Sequence, residues 1–374
     1  MAQSIFDYNS AFKNALRKTK FRIDAASKAN VEIFGKTWYE NHFAMGRVPH
    51  MLSDFDTVLG KMHLTIAAST INGKSAEPLR MNEGFGKVSQ KMFTHAHAYK
   101  MEADEIRELL LMAQAAERTG DSQAVEYITD TLFDHTREAV KGVRERIDLI
   151  ILEALSNGGS YTFSKANDPQ SPFVGQTIKF GIPDGNSDSV GGANTWTDAH
   201  KATVDPIKVI DEVCKKTRVP IQKILLDRAT MLFMLSTSAM KSYINSTTQP
   251  NLPITLPIMN HFLEEYGLPT LEVVEKKCLV QDGNQLKDYT PWKAGALVFL
   301  PENQIGTIET RFSDAELGIK SEGVSYTNYG RIELRRMTVG EKENSDFAEI
   351  IKASITAAPS MDTANNILVL DTQQ

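Results

Sequence analysis

The stretch AASTINGKS at residues 67–75 resembles a phosphate-binding loop, in which backbone N–H groups and one lysine hold the phosphates of a nucleotide. It has a small residue, four variable positions and then the tripeptide GKS ending at Ser75. Such a loop works between a strand and a helix, because the helix N-terminus must point at the phosphates. Pro78 and two nearby glycines follow, and these residue types disfavour a helix. The context therefore disfavours nucleotide binding.

A nucleotide hydrolase also needs an acid at the end of an apolar strand to hold magnesium, and the segment KILLD, ending at Asp227, offers one. Short apolar runs that end in Asp are common in a chain of this length, so the pair adds little. The first motif position is Ala68, whose Cβ occupies space where such loops usually have glycine. We keep a phosphate-loop hydrolase as an alternative, which nucleotide turnover lost in Lys74→Ala would identify.

His95 and His97 are two residues apart and lie on one face of a predicted strand, which is the minimum geometry for a shared metal ion. A polar strand face is the favoured interpretation, because no third ligand is near in the sequence. The sequence shows no nucleophile–base pair, paired carboxylates or metal triad. We therefore predict no enzyme activity and no catalytic, cofactor-binding or metal site. Three methionines, which could suggest a cofactor cage, are interpreted as core residues: Met231, Met234 and Met240.

The composition is that of a folded protein of about two domains, since the chain has 374 residues, 41% of them hydrophobic and 24% charged. The chain has 41 Lys plus Arg against 47 Asp plus Glu, and we expect no basic block. This disfavours duplex binding led by phosphate neutralisation. Two distant cysteines, the lack of an N-terminal signal sequence and an interrupted apolar stretch at 147–155 indicate a cytoplasmic protein without a membrane span.

The N-terminal third is predicted to hold an arm and a long hairpin. Residues 1–58 indicate an arm with one or two short helices. Residues 60–100 indicate a two-stranded excursion, with an outgoing strand near 61–69 and a tip at 72–86. The return strand follows through KVSQKMFTHAHAYKM. This places the GKS tripeptide in a turn.

Helices are predicted next. Asp104 is expected to cap a helix that ends at Gly120, and a longer helix follows at 121–157, about 50 Å in length. This length exceeds the needs of one compact domain, so part of the helix is expected to pack outside its own fold. Its arginines are expected to be solvated or paired with nearby acidic side chains: Arg137, Arg144 and Arg146.

The second half begins with a turn-rich hairpin and loop at 160–200 and then alternates between helix and strand. Asp205 followed by Pro206 is expected to cap a helix, KILLD is a short buried strand, and a single helix is expected at 229–244. The remaining sequence is mostly strand. These elements predict an α+β chain with a compact module at 203–300.

Several later segments, in this order, resemble the major capsid proteins of lambda-like tailed bacteriophages, the capsid protein E family. VGQTIKFGIPDGN, DAHKATVDPIKVIDEV and ILLDRATMLFMLSTSAMKSYI resemble the middle of these proteins. YTPWKAGALVFLPENQIGTIETR resembles the return from the apical domain, and FAEIIKASITAAPSMDTANNILVLDT is similar to the C-terminal strands. The resemblance covers about residues 160–370 and extends backwards through the order of elements.

The resemblance implies the Hong Kong 97 fold, an α+β fold with an arm, an extended loop, a spine helix and peripheral and axial domains. The implied boundaries are an N-terminal arm at 1–58, an extended loop hairpin at 59–101, a peripheral domain at 102–202 with the spine helix 121–157, an axial domain at 203–302 and returning peripheral strands at 303–374.

The implied function is structural: hexamers and pentamers of the chain form an icosahedral head that encloses double-stranded DNA without sequence-specific binding. Portal, scaffold and decoration proteins are the implied partners, no membrane is involved, and the virion capsid is assembled in the cytoplasm of the host bacterium. The GKS stretch becomes the tip of a loop that lies over a neighbouring subunit. The implied contact candidates are Gly73, Lys74, Glu77, Arg80, Phe85 and Lys87.

Two further alternatives concern the same fold. A bacterial shell or prophage-derived compartment would package protein cargo instead of DNA, and genomic neighbours or particle contents would separate it from a phage head. Some relatives join a loop lysine to a neighbour's asparagine, a role for which Lys74 or Lys87 is available. The sequence shows no acid partner for that reaction, and a ladder of covalent multimers on a denaturing gel would be required to support it.

Overall fold

The computed structural model describes residues 10–29, 32–59, 86–120, 122–217, 219–245, 254–341 and 346–373. Within these ranges the chain has the predicted α+β architecture. The α-helices are α1 (Ser10–Ala29), α2 (Ala103–Thr119), α3 (Ser122–Ser156), α4 (Pro206–Lys216), α5 (Arg228–Ser236), α6 (Ser238–Asn245) and α7 (Leu256–Glu265).

The strands range from three to 15 residues in length. They are β1 (Phe43–Met45), β2 (Asp54–Leu59), β3 (Gly86–Lys91), β4 (Phe93–Met101), β5 (Ser160–Thr162), β6 (Thr177–Lys179), β7 (Ser187–Ser189), β8 (Lys223–Leu226), β9 (Thr270–Val273), β10 (Cys278–Asp282), β11 (Gln285–Tyr289), β12 (Ala296–Leu300), β13 (Gly306–Thr310), β14 (Val324–Tyr329), β15 (Ile332–Glu341), β16 (Asp346–Ser360) and β17 (Leu368–Asp371).

The large sheet is organised by β16, the longest strand in the described part of the chain. Its order is β1-β13-β16-β15-β14, and β4 also pairs with β16. The first part of β16 lies between β15 and β4, and its end pairs with β13. Buried residues alternate along this strand at Ile351, Ala353, Ile355 and Ala357, so one face of the sheet packs on the core.

The small sheet has the order β7-β17-β12-β8-β9, and its central strand β12 is buried on both faces. On β12, Val298 and Leu300 belong to the same core as α3 and β16, whereas Leu297 and Phe299 belong to a second core with the helices α4 to α7. Because successive side chains of a strand point to opposite faces, β12 separates the two cores. Its all-apolar sequence ALVFL follows from this double burial.

The predicted long helix is α3, and it changes character along its length. Its first half has an apolar stripe, with Ile128 and Leu132 packed against α2. From Ile147 to Ser156 every residue is buried. An apolar helix that is covered on all sides must have partners on all sides, and here both sheets contribute to the same core.

In the described part of the N-terminal arm, an α-helix of 20 residues is present instead of the predicted short helices. α1 packs against α3 and β14. The Arg22 guanidinium lies 2.9 Å from an Asp130 carboxylate oxygen on α3, and the Gly330 N–H after β14 donates to Ser27 Oγ at 3.1 Å.

Two local predictions for helices are wrong and one is confirmed. The helix predicted at 229–244 is interrupted at Thr237, whose extended backbone separates α5 from α6 and whose Oγ1 donates to the Met234 carbonyl at 2.9 Å. Hydroxyl side chains compete with helical hydrogen bonds in this way. The N-cap position of α2 is Glu102, so Asp104 lies in the first turn. Asp205 caps α4 as predicted, accepting from the Ile207 and Lys208 N–H groups.

The hairpin region differs from the prediction in where its strands lie. β2 begins at Asp54, inside the segment assigned to the arm, and pairs antiparallel with β3. The predicted outgoing strand near 61–69 lies outside the described residues. The predicted return strand is divided into β3, which completes the hairpin, and β4, which joins the large sheet.

β4 packs directly on α3 through the two histidines. A Cβ on Gly142 of α3 would lie 2.6 Å from the His97 ring, so this glycine permits the close approach of helix and strand. His95 is buried, and burial lowers the pKa of its imidazole to about 4, with a smaller contribution from the positive charge of Arg146. His95 is therefore a neutral core residue at neutral pH, which differs from the polar strand face expected from the sequence.

Replacing His95 with Gln is expected to make the free energy of unfolding depend less on pH between about pH 6.5 and pH 4. The folded-state pKa lies below the unfolded value of about 6.5, so unfolding takes up a proton as the pH falls. The contribution of neutral His95 to the free energy of unfolding is fully present above about pH 6.5. It is lost as the pH falls toward 4, and the loss is about 3 kcal/mol. Thermal midpoints measured across this range will show it. His261→Gln, at an exposed position, is the control, and equal slopes for both variants would contradict the assignment.

Leu152→Ala is expected to lower the free energy of unfolding by about 2–5 kcal/mol, because it leaves a cavity where α3 is enclosed by both sheets. The matched change Leu111→Ala, on the exposed face of α2, should cost no more than about 0.5 kcal/mol. Thermal denaturation of the purified, unassembled subunits compares the two. A similar loss of stability in both variants would show that the packing of α3 is not the dominant constraint.

Candidate functional surfaces

The GKS stretch lies between two strands that are paired with each other. β2 and β3 form an antiparallel ladder from the Asp54–Lys91 pair to the Leu59–Gly86 pair, so the chain leaves and returns on the same ladder. After β3 comes β4, and the next described helix begins only at Ala103. A phosphate-binding loop instead runs directly from a strand into a helix. The described residues on both sides of the motif therefore lack that arrangement.

Asp227, the candidate magnesium ligand, has a structural role. Its carboxylate accepts hydrogen bonds from the Ala229 and Thr230 N–H groups at 3.1 and 3.2 Å, so it caps α5. It also accepts from Thr230 Oγ1 at 2.5 Å and from the Gly295 N–H at 3.1 Å. These donors occupy both oxygens of the carboxylate. The geometry opposes nucleotide hydrolysis.

Most of the predicted contact residues cannot be placed. Gly73, Lys74, Glu77, Arg80 and Phe85 lie outside the described residues. The backbone of Lys87 belongs to β3 and pairs with Val58. The described strands β2 and β3 thus fix only the base of the hairpin. The contact residues expected at its tip stay predictions.

The segment between β1 and the hairpin carries exposed apolar side chains that sequence analysis missed. We call residues 45–52 the apolar segment. Val48 is 71% exposed and Leu52 is 73% exposed, and Met45 and Met51 are also exposed. These residues show no helical or strand periodicity, which is why the pattern did not identify them.

The backbone of the apolar segment is nevertheless fixed to the large sheet. The Gly46 N–H donates to the Ile308 carbonyl at 2.9 Å, and the His50 N–H donates to the Thr310 carbonyl at 2.7 Å. His50 Nε2 also lies 3.0 Å from Glu309 Oε2. A fixed backbone that presents large apolar side chains to solvent is typical of a docking surface, because little entropy is lost when a partner covers it.

The hairpin formed by β10 and β11 presents a second exposed apolar pair. Cys278 and Val280 on one face are buried in the core with α3. On the other face, Leu279 and Leu286 are 69% and 68% exposed, and they are diagonal neighbours in the β ladder. This outward face provides another surface for a protein contact.

Buried charges fix the chain between α1 and β1. Arg144 of α3 binds Glu32 through two hydrogen bonds of 2.7 and 3.2 Å and also contacts Glu40. Asp148, one turn later, accepts from the Trp38 and Tyr39 N–H groups at 3.1 and 2.8 Å. Arg144 is thus buried and paired, and its acidic partners come from a distant part of the sequence instead of the nearby residues that were expected.

The expectation of no basic block is wrong for α1. This helix carries six basic side chains and one acidic side chain, a net charge of +5 in a chain of net charge −6. A charge count over a window of one helix length would have found it. The basic residues of α1 are Lys13, Arg17, Lys18, Lys20, Arg22 and Lys28.

Within the described ranges, no group of three His, Cys, Asp or Glu side chains is arranged to hold a metal ion. No helix within those ranges has the length and apolarity needed to cross a bilayer.

Comparison with known proteins gives one family. The model of the family described as phage major capsid protein E matches residues 34–328. No curated protein matches the chain.

Solved structures similar to this chain include three phage-related proteins. A prophage protein of E. coli CFT073, described as a capsid protein, has a TM-score of 0.55 and 11% identity over 96% of this chain and 98% of its own. A phage-related protein from Bordetella bronchiseptica RB50 has a TM-score of 0.45 and 10% identity, covering 90% and 91% of the two chains. A chain of the satellite phage P4 procapsid has a TM-score of 0.41 and 8% identity, covering 96% and 99%.

The first of these likenesses agrees with the Hong Kong 97 architecture of an arm, a hairpin and a long helix between sheets. The family match covers most of the chain. The chain therefore belongs to the phage major capsid protein E family, and its role is structural and not enzymatic.

Proposed function

We propose that copies of this chain assemble as hexamers and pentamers into the icosahedral head of a tailed bacteriophage, with double-stranded DNA inside. The observation that carries this proposal is the apolar segment 45–52, whose backbone is fixed while its large apolar side chains face solvent. Burying one Leu or Met side chain contributes roughly 1.5–3 kcal/mol. A neighbouring copy that covers the segment gains this energy without first ordering it.

The proposed domain boundaries follow the helices and strands of the fold. Residues 1–58 form the arm, 59–101 the extended loop, 102–202 and 303–374 the peripheral domain, and 203–302 the axial domain. The ladder of β2 and β3 supports this reading, since its antiparallel pairing from Asp54–Lys91 to Leu59–Gly86 makes the chain leave and return at the same end. The loop tip would then lie over a neighbouring subunit, with contacts from Gly73, Lys74, Glu77, Arg80, Phe85 and Lys87.

Assembly would take place in the cytoplasm of the host bacterium, with a portal, a scaffold and a decoration protein as partners. The net charge of −6 supports a wall that encloses DNA without holding it tightly or reading its sequence.

Met51→Ser combined with Leu52→Ser is expected to impair assembly, because it removes two large apolar side chains from each contact. The concentration needed for particles should rise by about tenfold or more. Size-exclusion chromatography followed by negative-stain electron microscopy, at several concentrations, would measure this. The wild-type chain should give rings, sheets or closed shells.

The control is Leu111→Ser combined with Met112→Ser, which makes the same chemical changes on the exposed face of α2. It should assemble like the wild-type chain. Equal assembly by all three proteins would contradict the role of the apolar segment, and monomers of the wild-type chain at every concentration would contradict self-assembly.

A further inference from the structure

A deep groove lies between α1 and the large sheet, and we call it the α1 groove. Its volume is about 640 Å³. Leu16 and Ile23 of α1 form one wall, and Leu334 of β15 and Ile351 of β16 lie on the sheet side. These four side chains form an apolar patch inside the groove, beside polar and charged ones, and α1 bridges the sheet without filling the space beneath it.

The rim of the groove on the helix side is positive. Lys13, Arg17 and Lys20 line it at a spacing of four and three residues, which puts them on one face of α1 over about 10 Å. All three are exposed, and no acidic side chain of the described residues lies within 4 Å of them in an ion pair. Their charges are therefore available to a partner.

The floor contains a further cation. Arg336 of β15 lines the groove, and its Nε is buried without a hydrogen-bond partner among the described residues. A buried N–H donor without an acceptor is costly, by about 1–3 kcal/mol. Burial also lowers the pKa of the Arg336 guanidinium to about 10, and the nearby carboxylate of Glu349 opposes this shift. A carboxylate entering the groove would favour the charged form of Arg336.

The other charged groups that line the groove do not reverse its positive charge. Arg335 is paired with Glu333 and Asp314, and Glu349 accepts from Thr338 Oγ1 at 2.7 Å. Glu322 lies at the outer edge and is exposed.

From this geometry we propose that the α1 groove binds an acidic segment of another protein, with apolar side chains in the groove and carboxylates on Lys13, Arg17, Lys20 and Arg336. The proposal deepens the proposed function and rests on it only in assigning the partner to head assembly. The acidic partner thus binds a surface that is separate from the surfaces proposed to join copies of the chain.

Other occupants fit less well. A DNA duplex would use the rim cations, but its phosphates cannot use the apolar interior. A fatty acid would fill the interior, but its single carboxylate cannot match cations spread over about 10 Å. A second copy of this chain is another possible occupant. Some of its acidic side chains on helices and strands already form ion pairs, as Asp211 does with Lys215 and Asp282 does with Lys287. An unpaired acidic segment from a different chain meets the requirements.

The test uses the full-length chain and a fluorescent peptide of about 12 residues, which spans about 40 Å when extended. The peptide carries Glu and Asp with Leu at every third or fourth position. Fluorescence anisotropy should show binding that weakens about tenfold in Arg17→Glu combined with Lys20→Glu. The control, Lys18→Glu combined with Lys28→Glu, makes the same charge change at positions of α1 that do not line the groove and should change the affinity less than about twofold.

Two further probes separate the alternatives. A peptide with Ser in place of Leu should bind about tenfold more weakly, because the apolar interior is then left empty. Arg336→Gln should also weaken the parent peptide. Equal losses in the two double variants, or no effect of replacing Leu, would overturn the proposal. Tighter binding of a fluorescent duplex DNA than of the peptide would identify α1 as a nucleic-acid contact instead. Peptide binding is read on unassembled subunits, so its failure is distinct from a failure to form shells.

Discussion

The enclosure of the C-terminal half of α3 is the constraint on which the rest of the structure depends. From Ile147 to Ser156 the helix exposes no face to solvent, and its core includes Ile351 of the large sheet and Val298 of the small sheet. A helix covered on all sides transmits the position of one layer to the other, because close-packed interiors do not deform continuously. Both sheets are therefore held in one relative orientation by a single rigid element.

The polar residues within this enclosure extend the same control to distant segments. Asp148 accepts from the backbone of residues 38 and 39 and pairs with Lys276 at 3.0 Å. Glu153 accepts from Asn167 Nδ2 and from the Tyr289 hydroxyl. Burial raises the pKa of both carboxyls, which these contacts oppose. A buried charge without its partner is strongly destabilising, so the arm, the loop after β5 and the β10–β11 hairpin have defined positions along α3.

Sequence analysis recovered what local rules determine. The 3.6-residue period identified α3, and the Asp-Pro pair identified the start of α4. The break at Thr237 was missed, because apolar periodicity continues across it and only the run of hydroxyl residues marks it. The pairing of Arg144 with Glu32 and Glu40 joins residues that are far apart in the sequence. Exposure of the apolar segment likewise depends on which residues the fold leaves uncovered, and no periodicity encodes that.

The surfaces that remain open differ in physical character and therefore in what controls them. The apolar segment and the outer face of the β10–β11 hairpin gain energy by excluding water, a gain that kosmotropic salts strengthen. The rim of the α1 groove acts through exposed charges. Salt at 0.1 M largely screens such charges beyond a distance of about 10 Å. The proposed contacts between copies and the proposed contact with an acidic partner are consequently expected to respond to a kosmotropic salt in opposite directions. Because the two kinds of surface lie on different elements, a substitution in one leaves the charge or the exposed apolar area of the other unchanged.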